Sequence, residues 1–391
     1  MKQYDSYKDS GVEWIGEVPS HWEIVPFKRA ITINNGCDYK HVQVEENGYP
    51  VIGSGGQFAW ANQYMYDGEA VLLGRKGTID KPMYYNGKFW TVDTMFYGIP
   101  KKNANCKYLY YQAKNIPFER YATATALPSM TQTDLNNNII CLPPLAEQQV
   151  IATYLDKKCS EIDNVISAQQ KRIALLQELK QSVITHAVTK GLNPKVEMKD
   201  SGVEWIGNVP KHWELIRTRY LCNLCTGNKD TINRVDDGKY PFYVRSPKVE
   251  RINTYSFDGE AILMAGDGVG AGKVFHYANG KFDYHQRVYN FHNFKRVTGK
   301  FFYYYMANNF RYIIEEGGAK NTVDSVRLYM IQNFLMTVPP KEEQNRICEY
   351  IGCQERKFDS AISVAQHQVE LLQEYKQSLI TEVITGKRKV S

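Results

Sequence analysis

Two groups of loops hold the residue types best suited to chemistry. In the first half of the chain they are GSGGQFAW (Gly53–Trp60) and GRKGT (Gly74–Thr78), which offer Ser54, Gln57, Arg75, Lys76 and Thr78. In the second half they are YVRSPK (Tyr243–Lys248), GDGVGAGK (Gly266–Lys273), HQR (His285–Arg287) and GGAKNT (Gly317–Thr322). These offer Arg245, Ser246, Lys273, Arg287, Lys320 and Asn321. They are cationic and hydrogen-bonding groups on glycine-rich turns, not paired acids and bases. Arginine matches guanine O6 and N7, Asn and Gln match adenine, Ser and Thr serve either, and lysine neutralises phosphates. Any one loop alone reads as a solvated turn. The set gains weight only from the architecture around it.

Other chemistries find little support. Cys222 and Cys225 form a C-x-x-C that no second Cys or His pair answers, and a zinc site needs about four ligands. The eight cysteines read as free, mostly buried thiols in a reducing compartment. Gly266-Asp-Gly268-Val-Gly270-Ala271 resembles a dinucleotide fingerprint, but a strand rather than a helix is expected after it, so a turn between strands is the better reading. Gly272-Lys273 lacks the rest of a phosphate-binding loop. No Gly-x-Ser-x-Gly, His-Glu-x-x-His or Asn/Asp-Pro-Pro-aromatic signature is present. His276 and His285 read as core or surface histidines. The chain is expected to be non-catalytic.

The elements that must position the loops follow from a duplication. With 391 residues, two or three domains are expected. The peptide DSGVEWIGEVPSHWE (Asp9 to Glu23) returns as DSGVEWIGNVPKHWE (Asp200 to Glu214), changed only at Glu17/Asn208 and Ser20/Lys211. A second repeat pairs Leu142–Thr189 with Val338–Thr385, roughly 40% identical. Between these anchors the halves share only a thin framework, such as YDGEAVLL/FDGEAILM and YNGKF/ANGKF. Each half therefore reads as anchor peptide, variable globular region and long helix. The join, KGLNPKVEMKD (Lys190 to Asp200), has linker composition. Trp14, Trp22, Trp205 and Trp213 are expected to pack each anchor where its globular region meets the helices.

The variable regions read as mixed α/β, with strands expected at Glu69–Leu73, Lys81–Tyr85 and Trp90–Phe96, joined by glycine turns, then helices such as Cys106–Lys114 and Lys300–Asn309. Both long helices open on Pro-Pro, followed by Glu147 or Glu343 where a carboxylate suits the helix dipole. Spacings of three and four run through Leu155, Ile162, Ile166, Ile173, Leu176, Val183 and Ala187. The second copy has Ile351, Phe358, Ile362, Val369, Leu372, Leu379 and Val383. This is a coiled-coil seam about 45 residues and roughly 65 Å long. Gln169, Lys180 and Lys376 interrupt it as register-setting polar residues. The simplest solution packs the two helices on each other; the alternative packs each only on its own globular region. QELKQSVIT and QEYKQSLIT match even on their polar faces, which packing does not require and a shared partner would explain.

The duplicated anchor, the PP-x-x-EQ helix start and the Q-x-S-[LV]-I-T ending resemble the specificity subunit of type I restriction–modification systems, over essentially the whole chain. GRKGTIDKP is similar to that family's R-x-G-T-I-G turn, with Asp80 in place of glycine; the second half departs further. The resemblance implies an α+β chain: two mixed α/β target-recognition domains separated by two long antiparallel coiled-coil helices, with internal pseudo-two-fold duplication. The expected boundaries are 1–143, 144–190, 191–339 and 340–391. It implies binding to double-stranded DNA at a bipartite target, two adenine-N6 methyltransferase subunits and restriction (motor-nuclease) subunits as partners, and one copy per complex. No cofactor is expected in this chain; S-adenosylmethionine, ATP and Mg belong on the partners. Glu147, Gln148, Gln177, Lys180, Gln181, Glu343, Gln344, Gln373, Lys376 and Gln377 are the expected partner contacts. With no long apolar run and no signal peptide, a prokaryotic cytoplasmic location without a membrane is expected. The net charge of +6 suits DNA without proving it. A non-DNA-binding coiled-coil scaffold and an enzyme with an unrecognised site stay open beside this reading.

Overall fold

The computed structural model describes residues 3–120, 128–316 and 325–390. Lys320 and Asn321 lie outside the described residues. Two compact units are present: Met1–Gln169 with His367–Ser391, and Gln170–Gln366. Each of the two long helices, Leu145–Lys190 and Lys341–Ile384, therefore gives part of its length to each unit.

The first unit is built on a seven-stranded sheet in the spatial order Ile31–Asn35, Met95–Pro100, Tyr66–Gly74, Met83–Thr91, Tyr49–Gly53, Gly56–Ala61, Gln43–Val44. All neighbours are antiparallel except Tyr49–Gly53 beside Met83–Thr91. Alternation along Tyr66–Gly74 sends Val71 and Leu73 to one face and Ala70 and Leu72 to the other. The first face packs on helix Cys106–Lys114 and on the ends of the long helices, burying Leu155, Ile162, Ile166, Leu379 and Val383. The other face holds a smaller core of Val51, Leu72, Phe89 and Met95.

The second unit repeats this plan with a six-stranded sheet: Asn223–Thr226, Val288–His292, Phe257–Ala265, Phe275–Tyr284, Tyr240–Tyr243, Glu250–Ile252. Among its described strands the parallel pair is again Tyr240–Tyr243 beside Phe275–Tyr284, and a parallel bridge of Lys229 to His285 lies just beyond it. Ile262 and Met264 face Ala187, Phe301, Phe302, Ile347 and Ile351, and Ala261 and Leu263 face Phe282 and Val288. In each unit the long-helix segments run antiparallel: in the first Asp163 pairs with Lys376 while Tyr4 joins Glu147 to Lys389, and in the second Lys180 pairs with Asp359 while Gly191 sits against Glu343.

Two strand expectations need correction. Trp90–Phe96 is not one strand: it breaks at a turn closed by Met95 N–H donating to Val92 O at 2.9 Å. The Asn-Gly pair at Asn86-Gly87 is not a hairpin turn either. Gly87 sits inside a strand opposite Gly68, at φ 123° and 139°, a conformation open essentially to glycine alone.

The repeated anchor peptide is a small structural knot. Tyr7–Asp9 pairs with Glu17–Pro19, and Met198–Asp200 with Asn208–Pro210. Trp22 and Trp213 are fully buried. Trp22 meets the end of the second long helix at Gly386. Trp213 meets Gly191 just beyond the first and donates from Nε1 to Glu343 Oε2 at 3.1 Å. Trp205 stacks on Phe334 and Tyr312. The peptide is written twice because each unit needs the same clamp.

Candidate nucleic-acid interface

In the first unit the chosen loops converge at one end of the sheet. Thr91 Oγ1 donates to Ile52 O at 3.0 Å, tying the strand before Ser54 to the turn Val92–Thr94. Arg75 N–H donates to Thr94 O at 2.8 Å, and Arg75 Nη1 to Asp93 O at 3.4 Å. The Arg75 guanidinium lies 5.8 Å from the Phe96 ring centroid. Arg75, Lys76 and Gln57 are exposed, and Ser54 and Thr78 are half-buried. Lys76 bridges to Ser129. Asp93 and Thr94 complete the cluster, and the strand read through them hid the turn.

The second unit uses the same positions with different residues. Registers align Val51 opposite Trp90 with Phe242 opposite Asp283, and Gly74 opposite Met95 with Ala265 opposite Val288. Ser54 then corresponds to Arg245, Lys76 to Asp267 and Thr94 to Arg287. Arg245 Nη1 lies 3.0 Å from Asp267 Oδ1, and Arg287 Nε lies 3.7 Å from Asp267 Oδ2. Ser246 donates to Lys248 O at 3.0 Å, and Lys273 is exposed on the neighbouring turn. His285 Nδ1 accepts the Arg287 N–H at 2.9 Å. Burial, then the nearby Arg245 charge, lowers the His285 pKa from 6.5 and favours the neutral ring this bond needs. Gln286 joins Asp230 at 2.9 Å. Asp230, Asp267 and Gln286 join the cluster through the side chains they hold, which residue type alone does not reveal. The glycine run Gly266–Lys273 is a turn between antiparallel strands, not a nucleotide loop. Cys222 is buried, and its thiol is pushed up to about 12 by burial; Cys225 instead meets Tyr284 Oη at 3.2 Å.

The family model for the type I restriction modification DNA specificity domain matches residues 19–175 and 210–360. The chain belongs to this family. It is 28% identical over 180 residues to the type I restriction enzyme EcoDI specificity subunit of Escherichia coli, a match covering 46% of this chain and 39% of that one. To the MjaVIII specificity subunit of Methanocaldococcus jannaschii it is 22% identical over 351 residues, covering 82% and 76%. A chain from a solved structure of the type I R-M system shares the fold with a TM-score of 0.70 at 14% identity, covering 94% of this chain and 98% of that one.

Within each specificity unit the helix residues expected to meet partners fall into distinct groups. Gln148 and Gln344 are fully buried, which corrects their assignment as partner contacts. Gln148 accepts from Asn105 N–H at 2.9 Å and donates to Asn103 O and Pro143 O. Gln344 does the same with Thr298 N–H, Arg296 O and Pro339 O. Both latch a helix start to its own globular region. Glu147 takes Tyr4 and His21, and Glu343 takes His212 and Trp213. Lys180 pairs with Asp359 and Lys376 with Asp163, while Gln181 donates to Asn308 Oδ1 at 2.6 Å. Gln177, Gln373 and Gln377 are exposed.

Beside them lies an apolar feature that sequence reading passed over. Leu175 and Leu179 are 64% and 52% exposed in the second unit, and their counterparts Leu371 and Tyr375 are 49% and 50% exposed in the first. A spacing of four puts each pair on one helix flank. Among the described residues no helix is long and apolar enough to cross a membrane.

Proposed function

We propose that the chain is the non-catalytic, sequence-reading subunit of a type I restriction–modification complex in a prokaryotic cytoplasm. It binds double-stranded DNA, and each specificity unit reads one part of a bipartite target through the loops at its sheet end. One observation carries this reading: two units of one framework differ at the same three loop positions, Ser54/Arg245, Lys76/Asp267 and Thr94/Arg287. A framework kept while its loops change is what reading two different base sets with one partner arrangement requires. The first reader comprises Ser54, Gln57, Arg75, Lys76 and Thr78, and the second Arg245, Ser246, Lys273 and Arg287.

The partners are two adenine-N6 methyltransferase subunits, one for each helix copy, joined by restriction subunits, with one copy of this chain per complex. The duplicated exposed flanks Leu175/Leu179 and Leu371/Tyr375, beside Gln177, Gln373 and Gln377, support this, since exposed apolar helix flanks favour docking. S-adenosylmethionine, ATP and Mg are used on those partners. The test is methylated-adenine mapping in cells that express this chain with its neighbouring methyltransferase subunit. A two-part motif with a fixed gap, absent without this chain, is expected. A stable complex that adds no methylation would overturn the reading.

A further inference from the structure

We infer that Asp267 is a specificity-positioning residue, which brackets Arg245 and Arg287 into one two-pronged base reader in the second specificity unit. The inference rests on the DNA-reading function proposed above. Each carboxylate oxygen of Asp267 takes a different arginine, Oδ1 with Arg245 at 3.0 Å and Oδ2 with Arg287 at 3.7 Å. The carboxylate is the more sheltered member: Asp267 is 22% exposed, against 45% for Arg245 and 66% for Arg287. Arg287 comes nearest to it through Nε, at ion-pair rather than hydrogen-bond distance, so its terminal amino groups are not the atoms closest to the carboxylate and can serve a bidentate contact such as guanine O6 and N7.

Backbone contacts hold the loops that carry the bracket against one another. Gly266 N–H donates to Arg287 O at 2.8 Å, Val326 N–H to Gly266 O at 2.8 Å, and Asp267 bridges to Ser325. A Cβ on Gly270 would come within 2.5 Å of Arg245 O, so the turn carrying Asp267 seats directly on the Arg245 strand end. Arginines held this way lose less side-chain freedom on binding a base than arginines free in solvent. The same carboxylate cancels part of their charge and weakens attraction to phosphates of any sequence. A positioned donor pair with a reduced charge favours the correct base over non-specific DNA, and specificity is that difference. In the first unit Ser54, Lys76 and Thr94 occupy the three positions, so the bracket belongs to the second reader alone.

The test uses the assembled complex with its methyltransferase subunits. Binding is measured to the target duplex, to duplexes changed one base at a time in either half-site, and to an unrelated duplex over a salt series. For Asp267→Asn, discrimination at one or two base pairs of the second half-site is expected to fall about tenfold. Affinity for unrelated DNA rises, and discrimination at the first half-site is unchanged. Asp236→Asn removes an equal charge from an exposed turn of the same unit, away from the three loop positions, and is expected to relax no base. Asp267→Glu keeps the charge but shifts its reach, and is expected to relax the same bases with unrelated binding unaltered, which decides the matter if Asp267→Asn folds poorly. Wild-type discrimination in both Asp267 variants overturns the bracket while leaving the DNA-reading function standing. A wild-type complex that tells no DNA sequences apart removes both.

Discussion

Lys376 Nζ lies 2.7 Å from Asp163 Oδ1, and the pair recurs between Lys180 and Asp359 at 2.8 Å. Each lysine is the copy of the other, and so is each aspartate. Both lysines are mostly shielded, whereas the aspartates are exposed, so the pairs define alignment more than they add stability. Lys376→Ala is expected to cost no more than about 1 kcal/mol in denaturant unfolding. Combining Lys376→Asp with Asp163→Lys is expected to recover most of that loss.

The buried glutamines weigh more. Gln148→Ala strips the Asn105 N–H of its acceptor and frees two carbonyls in a dry setting. An expected loss of about 2 kcal/mol follows, visible as a lower unfolding midpoint. Gln344→Ala is expected to match it, with protection from hydrogen exchange lost around Thr298 instead.

Acidification is expected to act on the second unit first. His285 and His276 both have pKa values lowered from 6.5, chiefly by burial. His285 is faced by Arg245, Arg287, Asp230 and Asp267, and its Nδ1 accepts a hydrogen bond only when unprotonated. A lowered histidine pKa means that the stabilisation is complete above 6.5 and is lost as pH falls below it toward the folded value. Thermal unfolding followed from pH 7.5 downward is expected to show this loss, and His285→Gln is expected to reduce it.

If the first unit reads DNA as proposed, Arg75→Ala removes the one arginine among its candidate residues Ser54, Gln57, Arg75, Lys76 and Thr78. Binding to the target is expected to weaken about tenfold, with relaxed base choice in one half-site and an unchanged profile in the other. Equal loss in both, with an unaltered salt dependence on unrelated DNA, would mark misfolding instead.

If the long helices set the gap between half-sites, deleting one heptad from each shortens them by about 10 Å. The methylated motif is then expected to appear with a gap about three base pairs different. An unchanged gap would refute a ruler.

Much of the architecture was legible because helices announce themselves. Heptad spacing and Pro-Pro starts pointed to two long helices, and the chain has them at Leu145–Lys190 and Lys341–Ile384. Strand ends were less visible: Val92-Asp93-Thr94 carries neither glycine nor proline, so nothing local marks the turn there. Asn86-Gly87 carries the opposite signal, a turn dipeptide used inside a strand because Gly68 faces it. At the candidate interface, residue type singled out Arg75 in one unit and Arg245 and Arg287 in the other, and each unit's own sheet end gathers its loops. Asp267 stayed hidden because its value lies in what it touches. Gln148 and Gln344 misled because an amide in a polar helix turn looks solvated until the carbonyls around it are known.

The first unit joins Met1–Gln169 to His367–Ser391, whereas the second is the unbroken stretch Gln170–Gln366. On the ribosome, the stretch made first therefore waits longest for its missing wall: Ile162, Ile166 and Trp22 have no Leu379, Val383 or Gly386 to meet until translation has passed the entire second unit. A premature stop codon near His367 would then strike the opposite end of the product, leaving the later-made unit whole and the earlier one with an open apolar side for chaperones and proteases.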